Sequence, residues 1–215
     1  MNIGIIGAGH MGSALGRLWA GQGHQVIFAY AREEAKLQRL AEAAGPNARA
    51  GPVAEAAGQS QVVLLAVWPD ALEEVLSAAG SLAGKTIITC VSGLKPDFTG
   101  QTVGLPTDLK VAMAERIAQL APGARVVEAF NITFAQTIAA PSRRFGPDRP
   151  SVFYCGDSEE AKQTVAGLIE ACDYEAVDAG PLAVSRSLET LASAWVQFAA
   201  ASGLFPELGL KALRR

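Results

Sequence analysis

Histidine and cysteine are scarce in this chain, which has two and three of them in 215 residues. Cys90, Cys155 and Cys172 have no metal-ligand spacing, and their odd number argues against a disulfide framework. They read as small buried apolar side chains, and no metal is expected. His10 falls in a glycine turn and His24 in a surface turn on the far side, so both read as structural. An excess of charge of one sign is also missing. With 18 basic against 21 acidic residues there is no basic face for nucleic acid. No long apolar run is present either. The opening one is far too short to span a bilayer and lacks the basic start and long core of a signal peptide, so a cytoplasmic protein without a membrane partner is expected. Internal repeats and low-complexity segments are absent. Half of the residues are apolar, enough for the core of one large domain or of a nucleotide-binding domain with a small extension.

The apolar run Ile3-Gly4-Ile5-Ile6 leads into Gly7-Ala8-Gly9-His10-Met11-Gly12 and then a helical pattern, Ser13 to Gly21. Strand, glycine turn and helix in that order form a dinucleotide fingerprint. Gly7 allows the tight turn, Gly9 lets backbone approach a pyrophosphate, and Gly12 lets helix pack on strand. Free backbone N–H groups at the helix start then hold the phosphates. A second strand, Gln25 to Tyr30, ends without an acid. An Asp or Glu there would accept from a ribose 2′-hydroxyl, whereas Arg accommodates a 2′-phosphate, so Tyr30-Ala31-Arg32 favours NADP. Arg32 suits the phosphate through its planar fork or stacks on adenine, and Lys36 adds a charge one turn later. On the alternative reading Arg32 and Lys36 pair with Glu33, Glu34 or solvent. Glu33 and Glu34 read as first-turn residues that complement the helix dipole.

Strand and helix alternate onward: helix Ala35 to Ala44, a short strand at Ala48-Arg49-Ala50, helix Val53 to Gly58, and the core strand Gln61 to Val67. Helix Asp70 to Ala79 starts behind Pro69, strand Thr86 to Cys90 follows, then helix Asp108 to Leu120 and strand Ala124 to Phe130. This alternation predicts an α/β fold with a doubly wound, mostly parallel sheet. A loop, Pro141 to Pro150, separates the NADP-binding Rossmann domain, 1–140, from a C-terminal strand and helix extension of the same sheet, 141–215. The extension comprises strand Ser151 to Cys155, helix Ser158 to Cys172 started by Asp157, strand Tyr174 to Val177, and a long helix from about Ser185 to Ser202. The final helix carries Leu188, Leu191, Trp195 and Phe198 on one apolar face, which fits a homodimer or an intramolecular core.

These pieces resemble the deazaflavin-dependent NADP reductases, whose members reduce or oxidise coenzyme F420, and the related reductase domain of the metalloreductases. The resemblance rests on Gly7 to Gly12, Arg32-Glu33-Glu34, Ala66-Val67-Trp68-Pro69, Ala121-Pro122-Gly123, Val126-Val127-Glu128-Ala129-Phe130-Asn131, Tyr154-Cys155-Gly156-Asp157 and Asp178-Ala179-Gly180-Pro181-Leu182. It covers nearly the whole chain. It implies that Val67-Trp68 and Ser92-Gly93 lie along the nicotinamide half of the cofactor, with Asn131 at its reactive end. The deazaflavin binders carry a different residue at the position of Asn131, and the metalloreductase-like branch is closer to this Asn-containing loop. The family's phosphate stretch often reads Ser followed by two Arg, against Tyr30-Ala31-Arg32 here. One missing charge-assisted bond weakens the preference for NADP over NAD by about 1.5–3 kcal/mol.

Carbonyl reduction usually needs a positioned acid, and the presumed cleft strands offer none, so no catalytic residue is assigned. Asp70 begins a helix. Strand alternation turns Glu128 away from Ala129, against a helix or solvent. Hydride exchange between stacked rings mainly needs placement, which favours a ring-to-ring transfer. The expected cofactor contacts are Gly7, Ala8, Gly9, His10, Met11, Gly12, Tyr30, Ala31, Arg32, Lys36, Ala66, Val67, Trp68, Ser92 and Asn131. A small-molecule hydride acceptor, coenzyme F420 or a flavin, is expected against Asn131, Thr133, Phe134, Pro181 and Leu182. Trp68-Pro69 lines the cleft or merely ends a strand, Phe130 is core, and Asn131 and Thr133 contact ligand or cap the next helix. Arg143, Arg144 and Arg149 steer an anion or keep a loop solvated. Two other functions fit the same residues: reduction of a small imine or carbonyl, and NADP-binding redox sensing without turnover.

Overall fold

The computed structural model describes residues 1–31, 33–93 and 110–215. The opening apolar run forms β1 (Asn2–Ile6), and the glycine turn delivers the chain into α1 (His10–Gly21). There follow β2 (Gln25–Ala29), α2 (Glu34–Ala44), β3 (Ala48–Ala50), α3 (Val53–Gly58), β4 (Val62–Leu65), α4 (Leu72–Ala79) and β5 (Thr86–Thr89). Beyond them lie α5 (Met113–Leu120), β6 (Arg125–Glu128), α6 (Ala135–Ala139), β7 (Ser151–Gly156), α7 (Glu159–Ala171), β8 (Glu175–Asp178) and α8 (Ser185–Ala201). The described strands make one eight-stranded sheet in the order β3-β2-β1-β4-β5-β6-β7-β8. Strand order reverses between β1 and β4, the switch point at which an open α/β sheet leaves a crevice at its carboxyl edge.

Parallel pairing runs from β3 across to β6, while β7 pairs antiparallel with β6 and β8 returns parallel to β7. The last rung before the carboxyl edge aligns Ile6, Leu65, Thr89 and Glu128. Side chains of one rung share a face. Ile6 and Leu65 accordingly pack with Leu72, Val75, Ile117 and Leu182. The other face buries Trp19, Phe28, Phe130 and Tyr174. Trp19 and Tyr174 each meet Phe130 edge-on at 6.3 Å, tying α1 and the start of β8 to the end of β6.

Several expected boundaries shift. Strands expected to reach Val67, Tyr30 and Phe130 stop at Leu65, Ala29 and Glu128. Tyr30 and Phe130 each take φ of 64°, a left-handed turn that ends ladder pairing. Pro69–Ala71 form a 3₁₀ turn ahead of α4, so Asp70 lies in that turn. The helix expected from Asp108 begins at Met113, behind an Ala112 N–H that donates to Glu115 Oε2 at 2.9 Å. Asp108 and Leu109 lie outside the described residues. Asp157 does not start α7. The Ser158 hydroxyl accepts the Ala161 N–H as its cap, and Asp157 Oδ1 accepts the Leu182 N–H at 2.9 Å. Glu33 is the N-cap of α2 and Glu34 alone lies in its first turn.

Candidate functional site

The glycine turn divides its three glycines as their spacing predicts. Gly7 has φ of 112°, and a Cβ there would lie 2.3 Å from the Ala66 carbonyl oxygen. A Cβ on Gly12 would lie 2.0 Å from the Gly7 carbonyl oxygen and 3.1 Å from the Ile5 side chain, so this glycine brings α1 down onto β1. A Cβ on Gly9 would meet nothing within 4 Å. Gly9 is therefore spared a side chain by something other than this chain's own packing. The N–H groups of Gly7 and Ala8 donate to Ala29 and Tyr30 carbonyls, at 2.9 and 3.0 Å. Among the described residues, those of Gly9, His10 and Met11 have no acceptor. Three open amides at the positive end of a helix, with open space over Gly9, are a set of donors that could hold an anion.

At the adenosine side, Tyr30 is part-buried against the second core layer and Ala31 is half-exposed beside it. Arg32 lies outside the described residues. Lys36 is exposed in the first turn of α2 and makes no ion pair among the described residues, while Arg39 approaches Glu33 at 3.8 Å. His24 sits at the opposite, amino edge of the sheet, 3.4 Å from the chain's amino group. Burial and that charge hold its pKa below the ordinary value.

At the nicotinamide side, Ala66 and Val67 are half-exposed just past β4, and Trp68 is 58% exposed. Ser92 and Gly93 follow β5 at the same edge. Asn131 follows β6, with both amide atoms buried and without a partner. Neither Asn131 nor Thr133 caps α6, whose N-cap is Phe134 with no side-chain cap. Phe134 packs edge-on to Phe205 at 5.0 Å. Pro181 is exposed, and Leu182 is 7% exposed within the second core layer. The carboxyl edge thus gathers the glycine turn, Ala66 to Trp68, Ser92 and Asn131 along adjacent strands. Leu182 points instead into packing.

The arginine loop is tied down. Arg144 grips Asp173 with two bonds of 2.8 and 2.9 Å, and an Arg143 nitrogen donates to the Ala140 carbonyl. The final helix divides its expected apolar face, burying Leu188 and Trp195 and leaving Phe198 56% exposed.

The carboxyl edge also holds a feature that the strand pattern half disclosed. Glu128 does face away from Ala129, but it is fully buried, and neither carboxyl oxygen has a partner. Glu189, one of the long helix's polar residues, is 3% exposed. It accepts the N–H groups of Gly93 at 3.3 Å, Met113 at 2.6 Å and Ala114 at 3.3 Å. Desolvation, then the Glu189 charge, pushes Glu128 well above the ordinary carboxyl range. Desolvation raises Glu189 to about 6, against the three donors that favour its anion. Cys90 is pushed up to about 12 by burial, with Glu128 adding to the shift. Sequence reasoning missed Glu189, because an acid that gathers backbone N–H groups from other elements leaves no local pattern. Among the described residues, no group of three or more His, Cys, Asp and Glu is placed to hold a metal. No described helix is long and apolar enough to cross a membrane.

A family model described as NADP oxidoreductase, coenzyme F420-dependent, matches residues 2–93. The metalloreductase STEAP3 of Rattus norvegicus is 29% identical over 189 residues. That match takes in 88% of this chain, which spans only 36% of the relative's length. Among solved structures, a hypothetical protein, SMa0349, from Sinorhizobium meliloti is 31% identical with a TM-score of 0.74, covering 86% of this chain and 87% of that one. A protein from Arthrobacter sp. FB24, proposed to be an F420-dependent NADP reductase, is 26% identical with a TM-score of 0.84 and full coverage of both chains. An imine reductase from Aspergillus terreus, solved with NADPH4 and a dibenzazepine, is 25% identical with a TM-score of 0.67, over 94% of this chain and 63% of that one.

Proposed function

We propose that the chain, whose residues 2–93 match the model of coenzyme F420-dependent NADP oxidoreductases, exchanges hydride between NADP(H) and a deazaflavin or flavin-like ring. The observation that carries this reading is the open cradle of Gly9, His10 and Met11 beside a glycine with no packing reason to lack a side chain. When bound, NADPH supplies the hydride. The chain's own part is to hold and orient. The cradle amides take the pyrophosphate, Lys36 and Arg32 take the 2′-phosphate, and Ala66 to Trp68 with Ser92 flank the nicotinamide. Asn131 offers both a donor and an acceptor to an acceptor ring bounded by Thr133, Phe134 and Pro181. Placement of the two reacting carbons then accounts for most of the rate, as a proximity effect.

The test is NADPH consumption by the purified chain with a deazaflavin, with flavins and without acceptor, each repeated with NADH. Turnover with the deazaflavin, faster with NADPH, is the expected result. A second reading, reduction of a small imine or carbonyl, draws support from the likeness to an imine reductase. It predicts turnover with a cyclic imine and none with the rings. Tight NADPH binding without any turnover contradicts both readings and leaves a redox sensor.

A further inference from the structure

We propose that Glu189 is a positioning residue of the nicotinamide half-site, its buried carboxylate fixing the backbone at Ser92-Gly93 against the start of α5. The proposal rests on the dinucleotide part of the reading above, which sets Ser92 beside the nicotinamide, and it names what holds that backbone in place. Glu189 belongs to α8, and its two oxygens serve different elements. Oε1 accepts the N–H groups of Met113 at 2.6 Å and Ala114 at 3.3 Å, the first two residues of α5. Oε2 accepts the Gly93 N–H at 3.3 Å, beyond the end of β5. A Cβ on Gly93 would lie 3.7 Å from Oε2, in ordinary contact, so the carboxylate lies directly against this stretch of main chain.

An acid is a costly choice for packing α8 alone. Glu189 is 3% exposed, and burial raises it to about 6 even against three donors. At neutral pH the buried anion thus costs stability that an apolar side chain would not. What an apolar side chain cannot do is accept from two elements at once. Hydrogen bonds to a carboxylate are short, strong and directional, so they fix where the Gly93 main chain stands relative to α5. That main chain follows β5, the neighbour of β4, whose carboxyl end leads into Ala66 to Trp68. A nicotinamide flanked by these two segments feels any shift of either, and hydride transfer is steeply sensitive to ring placement. Among the described residues, the charged groups facing Glu189 are Glu115 of α5, which Arg186 bonds twice at 2.7 Å, and Glu128 of β6, on which the Glu189 charge acts. Both are acids, so the three backbone N–H groups hold the anion.

Two measurements test the proposal. The first needs neither a variant nor a ligand: amide proton shifts of the full wild-type chain by NMR across the pH range. The Gly93, Met113 and Ala114 amides are expected to titrate together with a midpoint of about 6, and a Gly93 amide that does not follow the other two overturns the proposal. The second is calorimetry with NADPH and with 2′-phospho-ADP-ribose, the same molecule without its nicotinamide. Glu189→Gln keeps the shape but has one acceptor oxygen; with that oxygen on the α5 pair, its NH₂ faces the Gly93 N–H, donor against donor. The variant is expected to bind NADPH about tenfold more weakly, the worth of one hydrogen bond to a charged group, and the fragment as tightly as wild type. Equal losses for both ligands, or no loss for NADPH, overturn the role. Arg186→Ala loosens α8 from α5 without touching Gly93 and leaves the ratio of the two affinities at its wild-type value. A ratio shifted as far as in Glu189→Gln assigns the effect to packing and overturns the proposal. A wild type that binds NADPH but reduces no acceptor ring overturns hydride transfer and leaves the positioning role standing on the binding data.

Discussion

Glycines at one motif carry opposite costs, because what a Cβ would meet differs from one to the next. At Gly12 the added carbon would collide with the Gly7 carbonyl, so Gly12→Ala pushes α1 off β1. Urea unfolding is expected to show a loss of about 1–3 kcal/mol, in the range of overpacked cores. At Gly9 the same carbon points into open space. Gly9→Val leaves the unfolding midpoint within error of wild type and weakens NADPH at least tenfold by calorimetry, because it fills the place of the pyrophosphate. Equal stability and equal affinity in that variant would contradict the cradle. This pair was legible in the sequence because spacing alone assigns the glycine jobs. Asn131 was legible only by resemblance. Its amide atoms are buried without a partner, so Asn131→Leu removes an unmet polar cost and is expected to unfold no earlier than wild type, while acceptor affinity falls.

Elements meet at the carboxyl edge through a few side chains. Trp19 of α1 is fully buried, meets Phe130 and donates its indole N–H to the Leu168 carbonyl at 3.4 Å, joining α1 to α7. Trp19→Ala is expected to cost about 3–5 kcal/mol in chemical denaturation, as large aromatic truncations do. The Arg186–Glu115 pair also joins α8 to α5, but Arg186 remains 43% exposed. Arg186→Ala is therefore worth no more than about 1 kcal/mol in the same assay. Periodicity placed the strands and most helices correctly, since apolar runs covered on both faces have one reading. It overran the ends of β2 and β6, because nothing in composition announces that Tyr30 and Phe130 turn left-handed. It placed Asp157 at a helix start because Asp and Ser both cap helices, and only the tertiary contact to Leu182 separates the two. It left Glu128 between helix and solvent because the burial of a lone strand acid is decided by tertiary packing, which strand alternation does not encode.

Taken whole, the molecule sets acids of opposite tendency against each other as pH changes. Glu115, Asp173 and Glu175 are held below the ordinary range, first by bonds from Arg186, Arg144 and Ser151 respectively. Their stabilisation is present above the unfolded pKa values and is lost as pH falls through the folded ones. Glu189 runs the other way, from 4.5 up to about 6. Its contribution is full below pH 4.5, declines as pH rises toward 6, and amounts to about 2 kcal/mol at 1.4 kcal/mol per unit. In urea titrations across that interval, wild type is expected to lose this increment and Glu189→Gln to lack the loss; parallel curves would contradict it. The whole-molecule claim, hydride exchange at the carboxyl edge, is tested most directly by one stopped-flow experiment. The chain is mixed with NADPH deuterated at the transferable position and an oxidised deazaflavin, and the product ring is examined by mass spectrometry. The account predicts loss of deazaflavin absorbance in step with NADPH oxidation and one deuterium in the reduced ring. NADPH bound tightly with no deuterium transferred would contradict it.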